Sequence, residues 1–262
     1  MDGAGADHDR DLELDEIRST YELYRRTGRA HLWDLGNRGF RRIVQDRDRL
    51  LLRYLASSLP AAGGTVLDLG SGDGRLAVAA RDAALSISSW IGVDLDPVAI
   101  ARASESAPFA TFIEGSADRL PLEPASVNVI VASTLFSSVP STHLEGAIAG
   151  EIFRVLAQDG WLVWYDLRYD NPTNRAVHGL TRRRLAQLFP DWVGELRTIT
   201  VLPPVARRLG PMTPLLYPLL ESVPVLRSHL IGRLRRPATA DAAPAGAAPS
   251  SSGMEPLSPR ES

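Results

Sequence analysis

TVLDLGSGDGRL, residues 65–76, is the stretch from which the fold of this 262-residue chain can be read. Thr65–Leu69 is a short β-branched and apolar run after the Gly63-Gly64 break, the pattern of a buried strand. Gly70, Gly72 and Gly74 follow at alternate positions, and Arg75-Leu76-Ala77-Val78 opens a helix. A strand, a glycine turn and a helix start make a cradle of free backbone amides. The glycines tolerate positive φ and let a ligand approach the main chain, and the helix terminus favours a carboxylate or phosphate.

Spacing narrows the ligand. A dinucleotide fingerprint asks for glycine or alanine at position 75, where Arg75 stands. The phosphate loop of nucleotide hydrolases needs a lysine, and the chain has none. Asp68 followed by G-x-G-x-G resembles motif I of the class I S-adenosylmethionine-dependent methyltransferases.

The next segments extend that resemblance. Trp90–Leu95 is a second buried strand ending in Asp94, with Asp96-Pro97 as N-cap and first helical residue. An acid there, about 20 residues beyond a glycine loop, is placed to accept hydrogen bonds from ribose hydroxyls. Gly115-Ser116-Ala117-Asp118-Arg119-Leu120-Pro121-Leu122 and Val127-Asn128-Val129-Ile130-Val131 resemble the family's G-D-A-x-x-L-P-F and F-D-x-V-V segments. Ser116 replaces the acid that often meets the adenine amino group, and Asn128 replaces an aspartate. Asp118 is expected to be an exposed turn residue. Arg154-Val155-Leu156, with a turn at Asp159-Gly160, resembles the R-V-L-x-x-G-G entry to a fifth strand.

Over residues 65–167 the resemblance therefore implies an α/β fold, a doubly wound, mostly parallel seven-stranded sheet of the Rossmann-like methyltransferase type. It implies S-adenosyl-L-methionine as cofactor, held by Asp68, Gly70, Ser71, Gly72 and Gly74 of the first motif. Asp94 and Leu95 of the second strand, Ser116 and Ala117 of the third segment, and Ser133 at the end of strand four complete the set.

Composition agrees with a compact α/β domain. The net charge of −2 argues against nucleic acid. All 29 basic residues are arginine, so lysine is excluded as base or Schiff-base former. The absence of cysteine excludes thiolate metal sites and cysteine nucleophiles, and no histidine or carboxylate cluster points to a metal. The acidic N-terminus lacks the apolar core of a secretory leader, and no apolar run reaches the ~20 residues of a membrane span. A cytoplasmic location without stable membrane insertion is expected.

The remaining chain divides as follows. Residues 1–12 are expected to be disordered and 13–60 to form cap helices over the domain, with Tyr21, Tyr24 and Trp33 as elements of a lid. Residues 61–236 form the domain, with an apolar, proline-broken insert at about 202–227 before the last strand. Between Val201 and Arg236 six arginines face one acid, Glu221, a local charge of +5. That insert reads either as a helical cover or as a lid for an anionic or amphipathic acceptor. Residues 237–262, rich in Ala, Pro and Ser, are expected to be a disordered tail.

The acceptor is expected above the ends of strands four and five. Asp166 is the first candidate to deprotonate it and His178 the second, with Tyr169, Asp170 and Asn171 nearby. The expected reaction is O-methylation of a small molecule such as a secondary metabolite, glycoside or lipid-linked intermediate. C-methylation of a quinone-like or polyketide ring, or a silent binding protein of the same fold, are the alternatives.

Overall fold

A computed structural model describes residues 3–27, 34–170 and 177–237. Trp33, Asn171 and residues 238–262 lie outside them. Seven strands form one sheet in the order β3-β2-β1-β4-β5-β7-β6. They are β1 (Gly64–Leu69), β2 (Ile87–Asp94), β3 (Thr111–Glu114), β4 (Val127–Ser133), β5 (Leu156–Leu167), β6 (Val193–Val201) and β7 (Arg227–Arg235). The pairs among β1–β5 are parallel, and β7 runs antiparallel to both β5 and β6. Chain order reverses between β1 and β4, which opens a crevice at the carboxyl ends of the strands.

The strands carry apolar residues on both faces because each face is covered. Helix α2 (Arg38–Ser58) and α3 (Arg75–Asp82) bury Leu51, Leu55, Ala77 and Ala80 against Val66, Val129, Val131 and Val163. Helices α5 (Thr142–Val155) and α6 (Arg182–Leu188) bury Leu144, Ile148, Ile152 and Leu185 on the other face, against Leu67, Ile130 and Trp164. α2 starts where Asn37 accepts the Phe40 amide, and α4 (Pro97–Ser106) where Asp96 accepts that of Val98.

The Asn128 departure from the family pattern has a structural role. Asn128 Oδ1 accepts the Thr65 amide at 2.9 Å, tying the start of β1 to β4. Arg154 donates to the carbonyls of Leu120 and Leu122 and pairs with Glu151, fastening the turn after β3 to α5. Asp159-Gly160 is not a separate turn before the strand. Val127 pairs with Leu156 and Val129 with Trp161, so the intervening residues bulge out within β5.

Helix α1 spans Gly3–Arg26, so residues 3–12 are helical where disorder was expected; residues 1 and 2 lie outside the described residues. Its polar residues have partners far along the chain. Arg10 pairs with Asp118, Arg119 with Asp7, Arg25 with Asp96, and Ser141 donates to Glu13 at 2.8 Å. Leu14 and Ile17 pack on the core formed with α5. Asp118 is correspondingly buried, not an exposed turn residue.

The insert folds as α7 (Pro203–Arg208) and α8 (Thr213–Glu221) with short turns around them. It is seated on α2 through Ile43, Val201, Ala206 and Tyr217. At Gly39 the two backbones meet so closely that a Cβ would lie 1.8 Å from the Ala206 carbonyl oxygen.

Candidate active site

The crevice at the β1/β4 reversal holds a cavity of about 50 Å³, roofed by α1. Leu14, Ile17 and Tyr21 face Gly70, Asp94, Leu95, Ser116 and Ala117 across it, with Leu135 and Ser138 from the loop after β4. So small a space does not admit a nucleoside-sized ligand as it stands. Ionic contacts of α1 with Asp118 and Asp96 hold it there together with the packing of Leu14 and Ile17.

Five of the residues expected at the cofactor line this cavity: Gly70, Asp94, Leu95, Ser116 and Ala117. The Asp94 carboxylate accepts the Gly72 amide at 2.8 Å and the Asp96 amide at 2.9 Å, so it braces the glycine turn from inside. Burial raises its pKa, and these backbone donors pull it back. Gly72 has φ +54 and open space where a Cβ would be, leaving its backbone approachable. Gly74 differs: a Cβ there would crowd Phe112 and Ala103, so this glycine permits close packing of α4. Ser71 Oγ is buried without a hydrogen-bond partner. An open backbone beside an inward carboxylate fits a polar ligand with ribose hydroxyls. Asp68 is buried at the end of β1, and desolvation, with Asp94 nearby, pushes its pKa up to about 7. Asp68, Ser71, Gly72, Gly74 and Ser133 do not line the cavity itself.

Ser116 and Asp118 act together. The Ser116 hydroxyl donates to Asp118, which Arg10 also grips, and these partners outweigh desolvation to lower the Asp118 pKa.

Of the two candidate bases, Asp166 is buried and committed to the backbone. It accepts the Ser137 amide at 3.1 Å and the Leu167 amide at 2.8 Å, and desolvation pushes its pKa up to about 6. Its role is to hold the loop after β4, where Thr134 sits at φ +54. The same carboxylate was the first candidate to deprotonate the acceptor, and two of its hydrogen bonds go to backbone amides. His178 donates its amide to the Ser137 carbonyl, and its Nε2 lies 3.0 Å from Glu145 Oε1. Glu145 is buried and is also held by Arg184 Nε at 2.7 Å. The carboxylate raises the His178 pKa. Tyr21 keeps part of its ring in solvent, while its hydroxyl meets Ser138, and burial pushes its pKa up to about 12. Asp170 accepts the Gly179 amide at 2.9 Å, and Tyr169 carries Arg168 over its ring.

Glu145 and Arg10 were not anticipated. Glu145 reads as one more acid in the first turn of a helix, and Arg10 as part of a charged tail. The partners that matter, His178 for Glu145 and Asp118 for Arg10, lie 33 and 108 residues away, so neither has a local signal.

Residues 66–160 match the family model described as a methyltransferase domain. These residues form a methyltransferase domain, by a match that spans about a third of the chain. Over 112 residues the chain is 30% identical to the uncharacterized methyltransferase sll0829 of Synechocystis, covering 43% of this chain and half the length of that relative. Among solved structures, the geranyl diphosphate C-methyltransferase of Streptomyces coelicolor A3(2) superposes with a TM-score of 0.59. It is 14% identical, over 75% of this chain and 80% of that one. Its structure contains Mg2+, geranyl diphosphate and S-adenosyl-L-homocysteine. The N-methyltransferase NodS of Bradyrhizobium japonicum WM9 gives 0.55 at 15% identity, over 74% and 97%. At such identities the likeness concerns the methyltransferase fold alone; the two proteins act on different atoms, so the fold does not choose the acceptor.

Proposed function

We propose that this chain transfers a methyl group from S-adenosyl-L-methionine to a hydroxyl of a small-molecule acceptor. The observation that supports it best is the crevice itself, where Asp94, the glycine turn and the Ser116-Ala117 segment converge under α1. Asp94 would hold the ribose hydroxyls, the Gly72 backbone would let the ligand close on the turn, and Ser71 would satisfy its hydroxyl on a polar ligand group. Asp68, at the end of β1, would face the cationic amino-acid end of the cofactor. When bound, the cofactor supplies an electrophilic methyl on a sulfonium, a good leaving group. The protein's share is to hold the acceptor in line and remove its proton.

The Glu145–His178 pair suits proton removal. Glu145 occupies Nε2, fixes the ring and stabilises its charged form, which leaves Nδ1 as the atom to accept the hydroxyl proton. Tyr21, with a pKa near 12, stays protonated at neutral pH and serves as a donor. Acceptors of interest are hydroxylated secondary metabolites, glycosides and lipid-linked intermediates.

Calorimetric titration with S-adenosylmethionine and S-adenosylhomocysteine tests the first half. Micromolar binding of both is the expected result, and no binding of either at millimolar ligand overturns the proposal. Labelled methyl transfer to the hydroxyl acceptors tests the second half; transfer to carbon in their rings instead would transfer the assignment to C-methylation.

A further inference from the structure

The insert presents an unusual surface. Met212, Leu215, Leu219, Val223 and Val225 are 47, 63, 61, 41 and 66% exposed, although each is apolar. In α8, Thr213 and Tyr217 point into the core, and helical spacing puts Met212, Leu215 and Leu219 on the opposite side. The valines of the following turn extend this ridge. Burial cannot explain side chains of this size so placed, and a cluster of them marks a contact surface.

Beside the ridge lies a groove of about 570 Å³ between α2 and α8, floored by β6. Arg42, Arg49, Arg53, Arg197 and Arg227 line it against two carboxylates, Asp46 and Glu221, a net of three positive charges. Asp46 is taken by Arg42, with Arg49 at 3.6 Å. Arg227 grips the carbonyls of Glu221 and Ser222. Arg53 and Arg197 make no ion pair among the described residues; Arg197 only rests over the Tyr54 ring. The groove shares no residue with the cofactor cavity and lies on the α2 face of the sheet, whereas α1 and the cavity lie with α5.

We propose that this face docks on the surface of an anionic phospholipid bilayer, with the α8 ridge entering the interface and the groove arginines meeting lipid phosphates. An apolar ridge flanked by arginines is what such an interface selects. Charge complementarity favours it over a second copy of the chain, which would bring two arginine grooves together. No helix among the described residues is long and apolar enough to cross a membrane, so the contact is peripheral. The proposal does not depend on the methyltransferase reading, because it is read without cofactor.

The test is co-sedimentation of the full chain with phosphatidylcholine vesicles, with and without phosphatidylglycerol. Binding to the anionic vesicles, weakened by salt, is expected. Leu215→Ser with Leu219→Ser should reduce partitioning at least about tenfold. Arg53→Gln and Arg197→Gln should each reduce it by about fivefold and flatten its salt dependence. All of these side chains are exposed, so melting temperature and S-adenosylhomocysteine affinity should match the unmodified chain. Absence of binding to anionic vesicles overturns the proposal, as does equal binding of the leucine variant. A dimer in solution that the leucine variant dissociates would assign the ridge to a second copy and overturn it too.

Discussion

Asp94→Ala separates cofactor recognition from loop support. In the intact protein its two carboxylate oxygens accept the amides of Gly72 at 2.8 Å and Asp96 at 2.9 Å. Each carboxylate oxygen has a second lone pair, so the same group can brace the turn and accept ribose hydroxyls. Hydrogen bonds to a charged acceptor are worth about 1.5–3 kcal/mol each. Alanine removes two to the loop and two proposed to the ribose. The ribose pair alone sums to about 3–6 kcal/mol, and even half of one such pair's value exceeds the tenfold step of 1.4 kcal/mol. Calorimetric titration with S-adenosylhomocysteine should therefore show at least a tenfold weaker Kd, and a melting scan should show a lower Tm. Asp94→Asn keeps the volume but turns an amide donor toward a backbone donor, so its affinity should fall as well. The refuting result is specific: a lower Tm with an affinity within threefold of the unmodified chain. Asp94 would then be a turn brace only, and the ribose would have to be held elsewhere.

Other outcomes follow from the same geometry. Arg10→Ala leaves Asp118 buried and without its cation; a loss of about 1–3 kcal/mol is expected by chemical denaturation, together with faster S-adenosylhomocysteine release in stopped-flow as α1 loosens. Gly39→Ala must force α2 and α7 apart; the expected cost is about 1–3 kcal/mol or more, with cofactor affinity unchanged. The His178 pKa is raised by Glu145, so an NMR titration should place its midpoint above the usual 6.5 and Glu145→Gln should bring it down. Its contribution to stability is complete below 6.5 and fades as pH rises through the raised value. Asp68, pushed up to about 7, is protonated in the ligand-free protein at pH 6. If it meets the cofactor as a carboxylate, binding at pH 6 must release a proton, visible as a dependence of the binding heat on buffer ionisation. Buffer-independent heat would remove Asp68 from the site. Its raised pKa also means that its burial lowers stability as pH rises from about 4 through 7, so Asp68→Asn should be at least as stable as the parent at pH 8.

What could be read from the sequence was whatever is encoded locally. A glycine turn after a β-branched run, an acid ending the next strand and a proline-started helix each specify backbone within a few residues, and the sheet order follows from their alternation. The misread positions share a different physics. Residues 3–12 lack large apolar side chains except Leu12, and a charged segment of that kind has no local reason to order. Its helical form is supported by Asp118 and Arg119, more than a hundred residues away, which pair with Arg10 and Asp7. Asp118 was misjudged for the same reason, since its burial depends on Arg10. Asp166 drew attention as an acid at a strand end, yet that position also faces the loop amides after β4, and they take it. His178 was named from the sequence as a candidate base, but its partners were not: Glu145 and Arg184 come to it only through tertiary packing of α5 and α6. The crevice is thus built from two kinds of information. Its floor is written in contiguous motifs, while its roof and its proposed proton acceptor arise from ion pairs across the chain. Substitutions in the floor should then damage cofactor affinity first, and substitutions in the roof should change how fast the ligand enters and leaves.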